Sequence, residues 1–356
     1  MKHVHHASGR CSIHCIMPPH MLDAIQLNGS GKQRKKAVDL LKDSDDFHQL
    51  RKSAMPTGGF KAAKVFSFGS IKGPQREVYD GERTIGLPGN KLVRTENSQP
   101  TSDQEVEEAF EGSGDTFKLY ADVYGRDSLD GNGMTLISTV HHQKKYDNAF
   151  WNGQQMAYGD GDLFEPLTRS LAVIGHELSH GVVQFSGGLV YQDQSGALNE
   201  HFADVFGCLT EQYKKNQPAA EASWLIGAEI IGPSIQGDAL RSMKEPGLAY
   251  DDHLLGKDPQ PYHMANFVIT SRDHGGVHIN SGIPNHAFYL LSMMLGGNAW
   301  EKAGHIWYDA LQHIANPHAT FVDWADETLK QASIRFGTGS RELALTRRAW
   351  KLVGVY

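Results

Sequence analysis

Cysteine is scarce: the 356 residues carry only Cys11, Cys15 and Cys208, so a disulfide framework is not what holds this fold together. No apolar run approaches the roughly 18 residues a membrane helix needs, and no membrane association is expected. The amino-terminal stretch MKHVHHASGRCSIHC lacks an apolar h-region, which speaks against an ordinary secretory signal. A strong excess of one charge is also missing. The formal net charge of -7 is modest for this length and argues against a nucleic-acid partner. What is present, 40% hydrophobic and 21% charged residues, is the composition of a soluble globular protein with core enough for one large or two ordinary domains.

The chain changes character along its length. A Cys/His-rich start leads into Met17-Pro18-Pro19-His20-Met21-Leu22, and a basic cluster, Lys32-Gln33-Arg34-Lys35-Lys36, opens a helical pattern through Leu40, Leu41, Phe47 and Leu50. Met55-Pro56-Thr57-Gly58-Gly59 breaks that pattern and marks a boundary. Strands are expected at Lys64–Phe68, Glu77–Tyr79, Lys118–Tyr120 and Met134–His141, with helical starts at Asp103–Glu111 and Asp115–Tyr124. From Pro166 onward longer helical periods dominate, over Thr168–Phe185, Ser195–Tyr213, Pro284–Leu295, Ala299–Ala315 and Phe321–Phe336. A β-rich half followed by an α-rich half is the α+β arrangement.

The most informative stretch is Gly175-His176-Glu177-Leu178-Ser179-His180-Gly181. His176 and His180 are four apart, so on a helix they project from one face and can chelate one zinc. Glu177 between them lies near enough to take a proton from an attacking water without being a ligand. Leu171, Ile174, Leu178, Val182 and Phe185 give that helix an apolar side, and Gly187-Gly188 ends it. A catalytic zinc wants a third protein ligand. A third histidine further along the same helix is ruled out, because Val183 and Ser186 stand at the positions that solution needs. A second helix, Ser195–Asp204, offers Glu200 as the third ligand and, one turn on, Asp204 as a carboxylate that can accept the free ring N–H of a ligating histidine.

With these residues in hand, the chain resembles the thermolysin family of metallopeptidases. The likeness runs from about Asp115 to the carboxyl terminus and includes Asn148–Gly153, Tyr158–Asp162, Val190–Asp193, Gly237–Met243 and Gly275–Gly282. A short leading segment with Pro18-Pro19-His20-Met21-Leu22 is similar to the protealysin-like subgroup. The resemblance implies an inhibitory propeptide over 1–55, a β-rich lobe over 56–187 ending in the histidine helix, and a mainly α-helical lobe over 188–356, with the zinc site in the cleft between the lobes.

It also implies roles. His176, His180 and Glu200 would hold one zinc, Glu177 would be general base toward the metal-activated water, and His278 and Tyr191 would donate to the developing oxyanion. Asp273 would orient His278. Asn148, Ala149 and Arg241 would hold substrate backbone, and the apolar Phe164, Leu167, Val173 and Leu240 would form the pocket beyond the scissile bond. A neutral endopeptidase cutting on the amino side of bulky hydrophobic residues is therefore expected, acting on peptides or proteins as a monomer and autoinhibited by its own propeptide. Export by a non-classical route is expected, with a cytoplasmic location as the alternative.

The chain departs from the family at calcium. Ala172 stands where an acidic ligand is expected near Glu211, and Ala219–Glu229 is poor in acids, so one calcium or none is expected in place of a full double site. Cys208 reads as a small core residue, whereas Cys11 and Cys15, with His14, admit a metal site, a disulfide or a flexible segment. Two other readings compete. A zinc aminopeptidase would need an acidic site for a free amine, and the Asn148-Ala149 clamp favours internal bonds. An inert copy of the fold would have lost Glu177 or His278, and both are present.

Overall fold

The computed structural model describes residues 14–54 and 73–356; the expected strand Lys64–Phe68, the Met55–Gly59 boundary and Cys11 lie outside these. The amino-terminal segment contributes a two-residue strand, β1 (His14–Cys15), and two helices, α1 (Pro19–Asn28) and α2 (Gly31–Ala54). Pro at the first turn of α1 suits a position whose N–H has no helical partner. Next come β2 (Arg76–Asp80), β3 (Lys91–Thr95), α3 (Gln104–Tyr124), β4 (Leu136–Val140), β5 (Ala149–Trp151) and β6 (Met156–Tyr158). These strands form one six-stranded sheet in the order β1-β5-β6-β4-β2-β3. The pairs β2/β4 and β4/β6 are parallel and the others antiparallel. The two-residue β1 therefore lies on the outer edge of β5.

The rest is mainly helical: α4 (Leu171–Gln184), α5 (Asp193–Lys215), α6 (Asp273–Asn280), α7 (Gly282–Leu295), α8 (Lys302–His313), α9 (Phe321–Phe336) and α10 (Arg341–Leu352). Short two-stranded ribbons, β7 (Leu225–Ile226) with β8 (Arg241–Ser242) and β9 (Asp251–Asp252) with β10 (Gly256–Lys257), fill the stretch between α5 and α6. The fold is α+β, with a strand-containing amino-terminal lobe and a helical carboxyl-terminal lobe.

Three expectations need correcting. Lys118–Tyr120 is not a strand but the last part of α3, and the two expected helical starts are one helix. Gly112 and Gly114, which look like a break, are sites of close packing: a Cβ on Gly112 would stand 2.5 Å from Ile174 Cδ1, and one on Gly114 would meet Arg76. The histidine helix is also shorter than its pattern, since Leu167–Arg169 forms a separate 3-10 turn and α4 stops at Gln184, before the glycine pair.

Helices α4 and α5 decide where the site lies. Every residue of α4 from Ala172 to Val183 is buried, as expected of a helix that runs through a core rather than over it. Gly175 and Gly207 let α4 and α5 cross closely: a Cβ on Gly207 would stand 2.4 Å from the Ala172 carbonyl oxygen and 3.0 Å from His176 N. That close crossing brings the histidines of one helix to the acids of the next. Cys208, on the same helix, is buried in the core as expected.

Candidate metal and peptide-binding site

His176 and His180 present their Nε2 atoms to each other at 3.0 Å. Glu200 completes the group, Oε2 lying 3.5 Å from His176 Nε2 and Oε1 3.5 Å from His180 Nε2. The opposite ring nitrogens fix which atoms remain as acceptors. His180 Nδ1 faces the side-chain amide oxygen Oδ1 of Asn199 at 2.9 Å, and His176 Nδ1 lies 2.8 Å from Asp204 Oδ1. Each Nδ1 is thus the protonated nitrogen, and two Nε2 lone pairs and a carboxylate converge in a fully buried space. Such a set repels itself unless a cation lies among it. A tetrahedral zinc with bonds of about 2.0–2.1 Å separates its ligand atoms by roughly 3.3–3.4 Å, close to the distances found, so the residues fit this metal.

The surrounding groups act on charge. Burial, then His176, pushes His180 well below its ordinary range and favours the neutral ligand form. Burial opposes ionisation of Asp204, but Arg241 and His176 hold its carboxyl well below the usual carboxylate range. Arg241 donates to Asp204 from Nε and Nη2 at 2.8 to 3.1 Å, and Asn285 adds a bond to Asp204 Oδ2 at 2.9 Å. Glu177 sits apart from the ligand group. Its Oε2 accepts the Trp151 N–H at 3.0 Å, while Oε1 is buried with no hydrogen-bond partner. Burial first, and then Glu200, raise the Glu177 carboxyl well above its usual range.

His278 and Tyr191 meet on the other side of Glu200. Tyr191 OH donates to Glu200 Oε1 at 2.5 Å and lies 3.2 Å from His278 Nε2. Asp273 accepts from both His278 N and His278 Nδ1, at 2.9 and 2.6 Å. Burial disfavours a charged His278, but Glu200 and Asp273 raise it to about 9. This clasp depends on four consecutive residues with positive φ, Asp273, His274, Gly275 and Gly276, at 51°, 49°, 90° and 77°. The two glycines adopt that conformation without strain, and Gly275 also has no room for a Cβ, which would stand 2.1 Å from Asp193 Oδ1.

The expected backbone-binding residues line the neighbouring edge, and the amino-terminal segment lies on them. Ile16 N donates to the Ala149 carbonyl at 3.1 Å, Met17 N to Asn148 Oδ1 at 3.1 Å, and Arg241 Nη1 to the Ile16 carbonyl at 3.2 Å. His278 Nε2 lies 3.2 Å from the Cys15 carbonyl oxygen. Phe164, Leu167, Val173 and Leu240 are all buried. Phe164 lines a cavity of about 310 Å³ together with Met17, Leu22 and Ile25 of the same segment. Further out, Lys36 lies 2.5 Å from Asp147 Oδ2, and Arg272 Nη1 pairs with Asp23 at 2.9 Å.

Sequence reasoning did not single out Asn199, Asn285 or the Trp151 N–H. Asparagine is a poor residue for a helix interior unless its side chain has a partner, so Asn199, directly before Glu200, carried a usable signal. The Trp151 N–H did not, since any residue would supply it. Glu211 pairs with Lys215. A second grouping, Asp103, Glu105 and His141, differs from the first: His141 Nδ1 lies 2.6 Å from Asp160 and Nε2 3.0 Å from Asp103. Carboxylates at both ring nitrogens suit a histidinium better than a metal ligand. No helix among the described residues is long and apolar enough to cross a membrane.

The chain is similar to known metallopeptidases. Residues 69–184 match the family profile described as thermolysin metallopeptidase, catalytic domain, and residues 187–355 the one described as thermolysin metallopeptidase, alpha-helical domain. An extracellular metalloprotease of Pectobacterium carotovorum is 43% identical over 96% of both chains. Protease PrtS of a Photorhabdus strain is 49% identical over 79% of this chain and 76% of its own. Among solved structures, the precursor of protealysin, a metalloproteinase from Serratia proteamaculans, superposes with a TM-score of 0.86 at 42% identity, covering 96% of this chain and all of that one (100%).

Proposed function

Because the chain belongs to the thermolysin family of metallopeptidases, we propose that it is a zinc-dependent neutral endopeptidase made as a precursor whose residues 1–55 inhibit it. The observation that carries this reading is the convergence of His176 Nε2, His180 Nε2 and Glu200 in one buried space, beside an edge strand that already holds an extended peptide segment. On this reading 56–187 and 188–356 are the two lobes that flank the cleft.

His176, His180 and Glu200 would hold the zinc, which when bound acidifies a water and polarises a carbonyl. Glu177 takes the proton of the attacking water and passes it to the leaving amine. Its Oε1, buried and without a hydrogen-bond partner, is placed to take that proton. Asp204 holds His176 in the ligating tautomer, and Asn199 does the same for His180. Tyr191, kept protonated by burial and then by the Glu200 charge, and His278, kept charged by Glu200 and Asp273 against its burial, donate to the oxyanion as it forms. Asn148, the Ala149 carbonyl and Arg241 hold substrate backbone. The apolar set Phe164, Leu167, Val173 and Leu240 supports preference for a bulky hydrophobic residue on the amine side of the cut.

The docked segment supports autoinhibition, since it uses the same donors and acceptors a substrate would. Non-classical export is the localisation we favour, in line with the extracellular relative. Glu211 with Ala172 supports one calcium or none, and the enzyme is read as a monomer. Hydrolysis of azocasein with and without o-phenanthroline tests the reading: activity after propeptide removal that the chelator abolishes supports it, and chelator-insensitive or absent activity overturns it.

A further inference from the structure

The segment in the cleft is bound in a particular register. Strand β1 runs antiparallel to β5, with His14 opposite Trp151 and Cys15 opposite Phe150. Four contacts then follow in chain order. The Cys15 carbonyl faces His278 Nε2 at 3.2 Å, and Ile16 N–H donates to the Ala149 carbonyl at 3.1 Å. The Ile16 carbonyl accepts from Arg241 at 3.2 Å, and Met17 N–H donates to Asn148 at 3.1 Å. The carbonyl presented to His278 therefore belongs to the Cys15–Ile16 peptide bond.

Two further observations agree with that register. Ile16 is fully buried and branched, the kind of residue expected on the amine side of a cut. Glu177 lies beside the same strand, since its Oε2 holds the N–H of Trp151, the partner of His14, and its Oε1 is buried and unpartnered.

We propose that the Cys15–Ile16 bond is a self-cleavage site, the amino-terminal segment being held in the register of a substrate. The inference rests on the peptidase reading above. In the reaction the oxygen of water adds to the Cys15 carbonyl carbon and the bond to Ile16 N breaks. Cys15 leaves as a carboxylate and Ile16 as an amine, with no oxidant or reductant involved. The portion from Ile16 onward remains tied to the enzyme through Met17 N–H, Lys36 to Asp147 and Asp23 to Arg272, so the cut precedes release and is distinct from it.

The test uses the full-length chain, purified with chelator and then given zinc, with products read by intact-mass spectrometry. The expected products are residues 1–15 and a chain beginning at Ile16. Glu177→Gln should abolish the cut, Ile16→Leu should keep it, and Ile16→Asp should slow it on the order of 100-fold, as for a misplaced reacting group. The register has its own readout: in the uncut Glu177→Gln chain the amides of Ile16 and Met17 should be protected from hydrogen exchange. Unprotected amides would overturn the register. A full-length chain that stays intact between residues 15 and 16 when given zinc, although the same chain hydrolyses azocasein once residues 1–55 are removed, would overturn the cleavage. A zinc-loaded chain freed of residues 1–55 that is still inert toward azocasein would instead overturn the peptidase reading on which the proposal stands.

Discussion

Arg241 and Asp204 form a buried pair in which the guanidinium donates to both carboxylate oxygens, at 2.8 to 3.1 Å. The same arginine reaches the Ile16 carbonyl, and the same aspartate lies against His176 Nδ1. One ion pair thus links the histidine helix to the segment docked along β5. Arg241→Ala should destabilise the protein by about 3–5 kcal/mol, because Asp204 is left as a buried charge without its partner. Arg241→Lys should keep the charge but lose the fork, lowering kcat/KM on the order of 100-fold with a smaller loss of stability. Denaturant melts and steady-state kinetics separate the two effects. Equal behaviour of the two variants would argue against a backbone-binding role.

The crossing of α4 and α5 predicts a sharp effect of one methyl group. In Gly207→Ala the new carbon would meet the Ala172 carbonyl oxygen and His176 N, so the helices must part. The expected cost is about 1–3 kcal/mol, the range for an overpacked core, together with weaker zinc binding as Glu200 moves from the histidines. Parental stability and zinc affinity would contradict this account of the crossing.

His20, in the amino-terminal segment, supplies a sensitivity to acid. Its Nε2 bonds Tyr250 OH at 3.0 Å, Nδ1 is buried without a partner, and burial lowers the group from 6.5 to about 4, with Asp273 opposing and His278 and Arg241 adding to the shift. A depressed folded-state pKa means that the contribution to docking is present above about pH 6.5 and is lost as the pH falls toward 4. The melting temperature of the Glu177→Gln precursor should therefore fall over that window, and adding His20→Gln should flatten the fall. An unchanged slope would refute the role.

His141 acts in the opposite direction. The bond to Asp160 raises it, burial opposes, and Asp103 adds to the rise, bringing the group to about 9. A raised folded-state pKa gives a contribution that is complete below about pH 6.5 and lost as the pH rises through 9. Melting temperatures should decline over that alkaline range in the parent and change little in His141→Gln. Parallel curves would show that the histidinium contributes nothing.

How much could be read from sequence alone follows from the kind of physics involved. His176, His180, Glu200 and Asp204 were legible because helical spacing of four is a local rule, and it brings each pair onto one face. That the two helices meet was less visible, since it depends on Gly175 and Gly207 across the crossing. Lys118–Tyr120 was misread because three residues with strand-like character outweighed the longer period of Val106, Ala109, Phe110, Phe117 and Tyr120, all buried along α3. The α10 helix, RELALTRRAWKL, escaped notice because its buried face is small: Thr346, Ala349 and Trp350. Strand β1 carries no local signal at all; residues 14–15 are extended because the outer edge of β5 supplies their partner.

The central claim is that two imidazoles from α4 and a carboxylate from α5 bind one divalent ion. Zinc content per chain, measured by elemental analysis on the full-length protein and on Glu200→Ala after equilibration with limiting zinc, tests it directly. The account predicts one zinc per parental chain and a deep loss in the variant, and a variant that keeps zinc at parental affinity would contradict it.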